Sequence, residues 1–248
     1  MLISNADDLG RSRLATDRIL ECHARGTVTS ASAMVFMADS ERAAKLARGA
    51  GLDTGLHLNL TEPFNASTVP VELREAHASV RRRLLAHNYA PLIYFPFLQR
   101  HIRLLVRQQE LEYQRLYGDA PSHWDGHHHM HLCANVLLHC LIPRGRKVRK
   151  HFTFARGEKS WLNRAFRDAV NRWLQTRYIT TDYLFSLSLC RKRGTLPEVL
   201  RLAASATVEL ENHPEQEEDF RWLINEGVAA LKNVPKAAYA ALGEKGKA

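Results

Sequence analysis

Apolar and polar positions follow two periods along the first sixty residues. Met1–Ala6 is an apolar run that passes straight into the polar run Asn5–Asp8, which predicts a short buried strand with carboxylates at its end. Ser12–Ala24 then carries Leu14, Ile19 and Leu20 at helical spacing, and Gly26 stops it. Val28–Met37 reads as a second strand. Ser40–Arg48 reads as a helix with Ser40 as N-cap and Gly51 beyond its end, and Gly55–Leu60 alternates as a third strand. Strand, helix, strand, helix, strand at this spacing predicts parallel β/α units.

From Pro63 to Gly118 no strand is legible. Helical patterns at Val71–His87 and Gln99–Tyr117 predict a helical insertion, or lid, at about 63–118 between barrel units. Ser122–Leu132 resumes a strand-like pattern. In Ser160–Thr176, Trp161, Leu162, Ala165, Phe166, Ala169, Val170, Trp173 and Leu174 recur at helical spacing, which predicts a strong amphipathic helix. A strand is expected near Ala206–Leu210, a last helix near Phe220–Leu231, and a frayed tail from Gly243. Neither an internal repeat nor a linker divides the chain, so residues 1–248 are expected to form a single domain.

Composition narrows the class. At 45% hydrophobic and 25% charged residues, the 248-residue chain matches a globular protein and excludes a disordered or coiled-coil one. The formal charge of +9 invites a nucleic-acid or membrane-surface reading. Yet Pro143–Arg177, with eleven basic residues and two acidic ones, holds the whole excess. A non-enzymatic basic binding module resting on that stretch is one alternative. No P-loop, zinc-finger spacing or aromatic-interleaved RNA motif accompanies it, so no nucleic-acid partner is expected. Cys22, Cys133, Cys140 and Cys190 form no C-x-x-C pair and read as free thiols of a reducing compartment. With no signal-peptide pattern and no apolar run of about 20 residues, the expected location is cytoplasmic, without a transmembrane segment.

The chemistry concentrates at four places. His123, His127, His128, His129 and His131 fall within nine residues. If the segment is extended, a period of two puts His123, Asp125, His127, His129 and His131 on one face, which no apolar core accepts without a partner. If it is helical, His127 and His131 pair at i, i+4; both arrangements suit a metal. Asp7 and Asp8 stand where a buried strand ends, the position at which β/α barrels build their sites, although a helix N-cap and first-turn acid would also account for them. His57 interrupts an apolar strand. His213 follows a strand and precedes Pro214, which fixes it at a strand end as a candidate acid or base. Mixed oxygen and imidazole donors favour zinc or another divalent transition metal over calcium.

Ile3-Ser4-Asn5-Ala6-Asp7-Asp8-Leu9-Gly10, Gly55-Leu56-His57-Leu58-Asn59-Leu60, Ser122-His123-Trp124-Asp125-Gly126-His127-His128-His129-Met130-His131 and Glu209-Leu210-Glu211-Asn212-His213-Pro214 occur in that order. Together they resemble the motifs of the YdjC-like carbohydrate deacetylases, a group that includes chitooligosaccharide deacetylases and hopanoid-biosynthesis-associated proteins. The resemblance implies an α/β fold: a distorted (β/α) barrel of the polysaccharide-deacetylase type. It implies one divalent metal ion, zinc or magnesium, held by Asp8, His57 and His127, with Asp7 as base and His213 as general acid. The implied reaction is metal-dependent removal of an N-acetyl group from an amino sugar or glycan, giving acetate and a free amine. Trp124, Gly126 and Glu215 depart from the family pattern and bear on substrate choice rather than on the metal positions. The same ligands would also serve hydrolysis of another bond, such as a phosphoester. The basic stretch follows the histidine cluster directly and would suit an anionic or lipid-linked substrate; an exposed apolar lid would suit a homodimer.

Overall fold

The computed structural model describes residues 1–154, 158 and 160–243; the expected fraying of the tail and the basic residues Arg156 and Lys159 lie outside them. Among the described residues, six strands form one parallel sheet: β1 (Leu2–Leu9), β2 (Ser30–Ala33), β3 (Asp53–Leu58), β4 (Trp124–Gly126), β5 (Tyr183–Ser186) and β6 (Val208–Asn212), in the order β4-β3-β2-β1-β6-β5. Parallel neighbours need crossovers, and helices supply them. These are α1 (Arg13–Ala24), α2 (Ser40–Gly49), α3 (Val71–Leu84), α4 (Gln99–Tyr117), α5 (Ala134–Leu138), α6 (Trp161–Gln175), α7 (Leu187–Arg193), α8 (Leu196–Leu202), α9 (Glu217–Ile224) and α10 (Glu226–Ala230). Every residue of β1, β2 and β6 is buried, as interior strands of a covered parallel sheet should be.

The sheet curls until its edges are bridged. Trp124 N–H of β4 donates to Lys147 O (2.8 Å), and Arg149 N–H donates to Trp124 O (3.0 Å). On the other side of the same segment, Val148 N–H reaches Ile179 O (2.9 Å) and Thr153 N–H reaches Leu184 O of β5 (2.9 Å). Residues 146–153 therefore act as an extended stave between β4 and β5, and the architecture is a distorted β/α barrel. No helix among the described residues is long and apolar enough to cross a membrane.

Most elements fall where their periodicity puts them, α4 to the residue. The differences have local causes. Ser40 is not an N-cap: it lies inside α2, where its hydroxyl donates to Met34 O (2.9 Å) and accepts from Met37 N–H (2.9 Å). The second strand ends at Ala33, shortly before Phe36 takes a left-handed φ of 63°. The last helix is two, α9 and α10, broken at Asn225. In α6 only Leu174 is buried, while Trp161, Leu162 and Phe166 are exposed. This helix leans on the stave through its polar side: Asn171 accepts from His151 N–H (2.9 Å), and Arg167 lies over the Phe154 ring. The apolar side is thus covered only towards its C-terminal end, where Leu174 is buried and Val170 and Trp173 pack on the core.

Candidate active site

Two adjacent carboxylates reach the same cavity because β1 is not regular at its end. Its register with β2 shifts between Ala6 and Leu9, and Asp8 takes a φ of 72°. A strand sends successive side chains to opposite faces; an irregularity of this kind abolishes that alternation. Asp8, a non-glycine residue in the left-handed region, carries strain of the kind that accumulates at functional sites. Asp7 and Asp8 thus both approach His57 Nε2, at 4.0 and 3.4 Å.

His57 is the fifth residue of β3, and its other ring nitrogen, Nδ1, lies 2.8 Å from Asp125 Oδ1 on neighbouring β4. Asp8 Oδ1 also meets His127 Nδ1 at 3.0 Å. Asp8, His57 and His127 are all buried and present donor atoms to one point. A metal with bonds of about 2.0–2.2 Å spaces neighbouring ligands by roughly 3.0–3.5 Å, which matches both separations around Asp8. The carboxylate behind His57 is the usual partner that fixes a metal-binding imidazole.

The histidine segment does not form the single extended face its alternation predicts. β4 ends at Gly126, and His127–Leu132 is a short 3-10 turn in which His128 and His129 have φ of 53° and 56°. The turn separates the histidines by role. His127 reaches Asp8. His131 turns away, and its Nε2 meets Arg149 O at 3.0 Å. His129 Nε2 lies 3.8 Å from Glu211 Oε1 with its ring edge-on to Phe152. His123 lies beneath the site, between Ser122 Oγ (2.9 Å) and Ser32 Oγ (3.1 Å), and Gly55 leaves room for its ring, which a Cβ would meet. Asp125 also accepts from Ser32 Oγ at 2.6 Å.

Sequence reasoning missed Arg149. It counted there as one charge of a basic stretch facing substrate or solvent, but it is fully buried under the site. Nη1 and Nη2 grip Asp7 Oδ2 and Oδ1 (2.6 and 2.7 Å), Nη2 meets Asp125 Oδ2 (2.8 Å), and Nε donates to Glu209 Oε1 (2.7 Å). Lys150 is buried too, donating to Asp182 O at 2.6 Å, so neither residue is part of a charged rim.

The electrostatics follow from this packing. Burial pushes the Asp7 carboxyl up, but Arg149 and His57 outweigh it and hold the group below its ordinary value. The same contest, won by His127 and His57, holds Asp8 well below the carboxylate range. Asp125 is likewise held down, by Arg149 and His57. Glu209 and Glu211 go the other way: burial raises Glu209 to about 7, and burial beside Asp7 raises Glu211 well above the carboxylate range. Three carboxylates then face one guanidinium, and His57, although buried, is pushed well above its ordinary value by Asp125 and Asp7. The centre is short of positive charge, and the donor set fits a divalent cation.

His213 follows β6, and its Nε2 stands 4.0 Å from Asp7 Oδ2 and 3.7 Å from Glu211 Oε1. Its side chain keeps 30% of its exposure, so it forms the solvent side of a site whose floor is buried. All five residues picked out in the sequence, Asp7, Asp8, His57, His127 and His213, therefore converge at the C-terminal ends of the strands.

Comparison with known proteins bears on the family and the fold. The family model described as YdjC-like protein matches residues 1–233. The chain is 30% identical over 247 residues to a carbohydrate deacetylase of Mus musculus, covering 86% of this chain and 77% of that one. It is 35% identical over 139 residues to a chitooligosaccharide deacetylase of Proteus mirabilis, covering 55% of this chain and 52% of the relative, so the match spans about half of that enzyme's length. A crystal structure of a candidate cellobiose-phosphate cleavage protein from Enterococcus faecalis V583 superposes over 97% of both chains with a TM-score of 0.62 at 20% identity, a likeness of fold.

Proposed function

The chain belongs to the YdjC-like family, and we propose that it is a metal-dependent N-deacetylase acting on N-acetylated amino sugars of chitooligosaccharide type. The observation that carries this reading is the Asp8–His57–His127 cluster backed by Asp125, with a second carboxylate, Asp7, beside it. Asp8, His57 and His127 would hold one divalent ion, zinc or magnesium. Once bound, it would supply Lewis-acid polarisation of the acetyl carbonyl and a more acidic water. The names of the curated relatives support the substrate class.

An amide is a weak electrophile and an amine a poor leaving group, so protons must be managed at both ends. Arg149 holds both oxygens of Asp7 and keeps the carboxylate ionised. Asp7 takes a proton from the attacking water as the C–O bond forms. His213 gives a proton to the departing nitrogen as the C–N bond breaks. The proton on Asp7 then passes to His213 through one water bridging their 4.0 Å separation, and acetic acid and the free amine leave with both residues reset. The partly open position of His213 suits contact with a sugar entering from solvent.

The test is acetate release from N,N′-diacetylchitobiose by the full chain with added Zn²⁺ or Mg²⁺ and with chelator. Chelation should abolish turnover and either metal restore it. Asp7→Asn should lose turnover by about 10²–10⁴-fold while still binding metal. Undiminished release in chelator, or in Asp7→Asn, refutes the assignment.

A further inference from the structure

The family match ends at residue 233, yet the chain beyond it returns under the barrel. Leu2 N–H donates to Pro235 O (2.7 Å), and Ala237 N–H donates to Leu2 O (2.9 Å), so the returning segment pairs with the start of β1. Tyr239 N–H is held by Ser30 Oγ of β2 (2.8 Å), and Ala240 N–H by Asp53 Oδ2 of β3 (3.3 Å). Tyr239 and Leu242 pack on Ile3 as a small apolar cluster apart from the main core. The segment therefore closes the end of the barrel opposite the cleft.

What it carries inward is a phenol. Tyr239 is fully buried, its ring lies 3.9 Å from that of His123 at 11°, and its hydroxyl donates to Glu209 Oε2 at 2.5 Å. Glu209 Oε1 is taken by Arg149 Nε, and the rest of the Arg149 fork is taken by Asp7 and Asp125. An unbroken row of contacts thus runs from Tyr239 through Glu209 and Arg149 to the proposed base and to the carboxylate that holds His57.

We propose that Tyr239 is a positioning residue: the C-terminal segment 235–242 completes the site from below by fixing Glu209, and through it the rotation of the Arg149 guanidinium that aims Asp7 and Asp125. A guanidinium gripped on all sides has one orientation, and it loses that definition if one of its three carboxylate partners is free to turn. Without the phenol hydroxyl, Glu209 Oε2 is a buried acceptor with no donor, and the side chain is driven to find another arrangement. Loss of the hydroxyl should therefore act at a distance, on the orientation of Asp7 and on the affinity of the metal site.

This inference rests on the deacetylase reading for its kinetic arm and on Zn²⁺ binding for an independent one. The full chain, Tyr239→Phe, Glu209→Gln and the double variant are compared by kcat and KM on N,N′-diacetylchitobiose and by calorimetric titration with Zn²⁺. Outer-shell partners of metal sites are worth 10–100-fold, so Tyr239→Phe, one step further out, should lower kcat about 10-fold and weaken Zn²⁺ binding by a comparable factor. KM should stay within about twofold and Tm within a few degrees. Because Tyr239 acts through Glu209, the double variant should be no worse than Glu209→Gln alone. If Tyr239→Phe is poorly folded, Ser30→Ala, which frees the Tyr239 backbone but keeps the phenol, should show the same loss. A chain that releases no acetate refutes the deacetylase reading, and the Zn²⁺ titration then decides this one. Kcat and Zn²⁺ affinity within twofold of the unmodified chain in Tyr239→Phe, or full additivity with Glu209→Gln, overturns the positioning role.

Discussion

Arg149 grips both carboxylate oxygens of Asp7, at 2.6 and 2.7 Å, across 142 positions of sequence. Both charges are buried, and the same guanidinium also neutralises Asp125 and meets Glu209. Removing the cation leaves several buried carboxyl groups facing one another. Breaking one side of a buried ionic network costs about 3–5 kcal/mol, whereas exposed ion pairs contribute about 0–1 kcal/mol. Arg149→Met should therefore lower stability by about 3–5 kcal/mol in urea unfolding with chelator present. Arg149→Lys should recover only part of it, because a single ammonium cannot span three carboxylates. A loss below about 1 kcal/mol in Arg149→Met would mean that the carboxyls simply take up protons, and that the network is not held together by this charge.

The contrast between Arg149 and Asp8 explains how far the sequence could be read. Asp8 stood out as one of two carboxylates at the end of a buried strand, His57 as a break in an apolar strand, His127 as one of five clustered histidines, and His213 by its place between a strand and Pro214. Arg149 broke nothing: it sits in a run of basic residues, and a charge run hides which member points inward. The stave 146–153 is equally illegible, since its pairing comes from the curvature of the barrel rather than from its own composition. Tyr239 is one tyrosine in an alanine-rich tail, and only the return of the chain under β1 gives it a partner. The histidine segment shows the opposite failure. Its alternation was real, but the left-handed turns at His128 and His129 are backbone events that a two-residue period cannot register. In α6 the helix was legible but its cover was not: amphipathicity says that a side is apolar, not how much of it is covered, and here Leu174 is buried while Trp161, Leu162 and Phe166 are exposed.

Asp125 should matter to the metal without touching it. Its Oδ1 holds His57 Nδ1, and its Oδ2 is shared between Arg149 and Ser32. Asparagine keeps the shape but gives a neutral acceptor and turns an N–H₂ toward donors or leaves His57 without its anion. Asp125→Asn should weaken Zn²⁺ binding by about 10–100-fold in a calorimetric titration, with unchanged circular dichroism. An affinity within twofold of the unmodified chain would show that His57 needs no anionic partner, and would weaken its assignment as a ligand.

Acid should destabilise the fold through a residue outside the Asp7, Asp8, His57, His127 and His213 cluster. His77 of α3 is buried, and its ring packs on Phe64 with centroids 4.2 Å apart. Burial, aided by the nearby Arg81, pushes this imidazole down from 6.5 to about 4. Between these two values the unfolded chain binds a proton that the folded chain refuses, so stability rises with pH there and falls as pH is lowered. Above about 6.5 neither state is protonated, and below about 4 both are, so the effect is confined to that window. At roughly 1.4 kcal/mol per pH unit, the full span contributes about 3–4 kcal/mol, of which about 2–3 kcal/mol is lost between pH 7 and pH 4. His123 and His131, also pushed down to about 4, act in the same direction, so the unmodified chain alone cannot isolate one residue. His77→Leu removes only this proton site and keeps an apolar group against Phe64. Urea unfolding at steps from pH 7 to pH 4 should show His77→Leu losing about 2–3 kcal/mol less than the unmodified chain. Parallel stability curves for the two proteins would mean that His77 takes its proton as readily in the folded state as in the unfolded one.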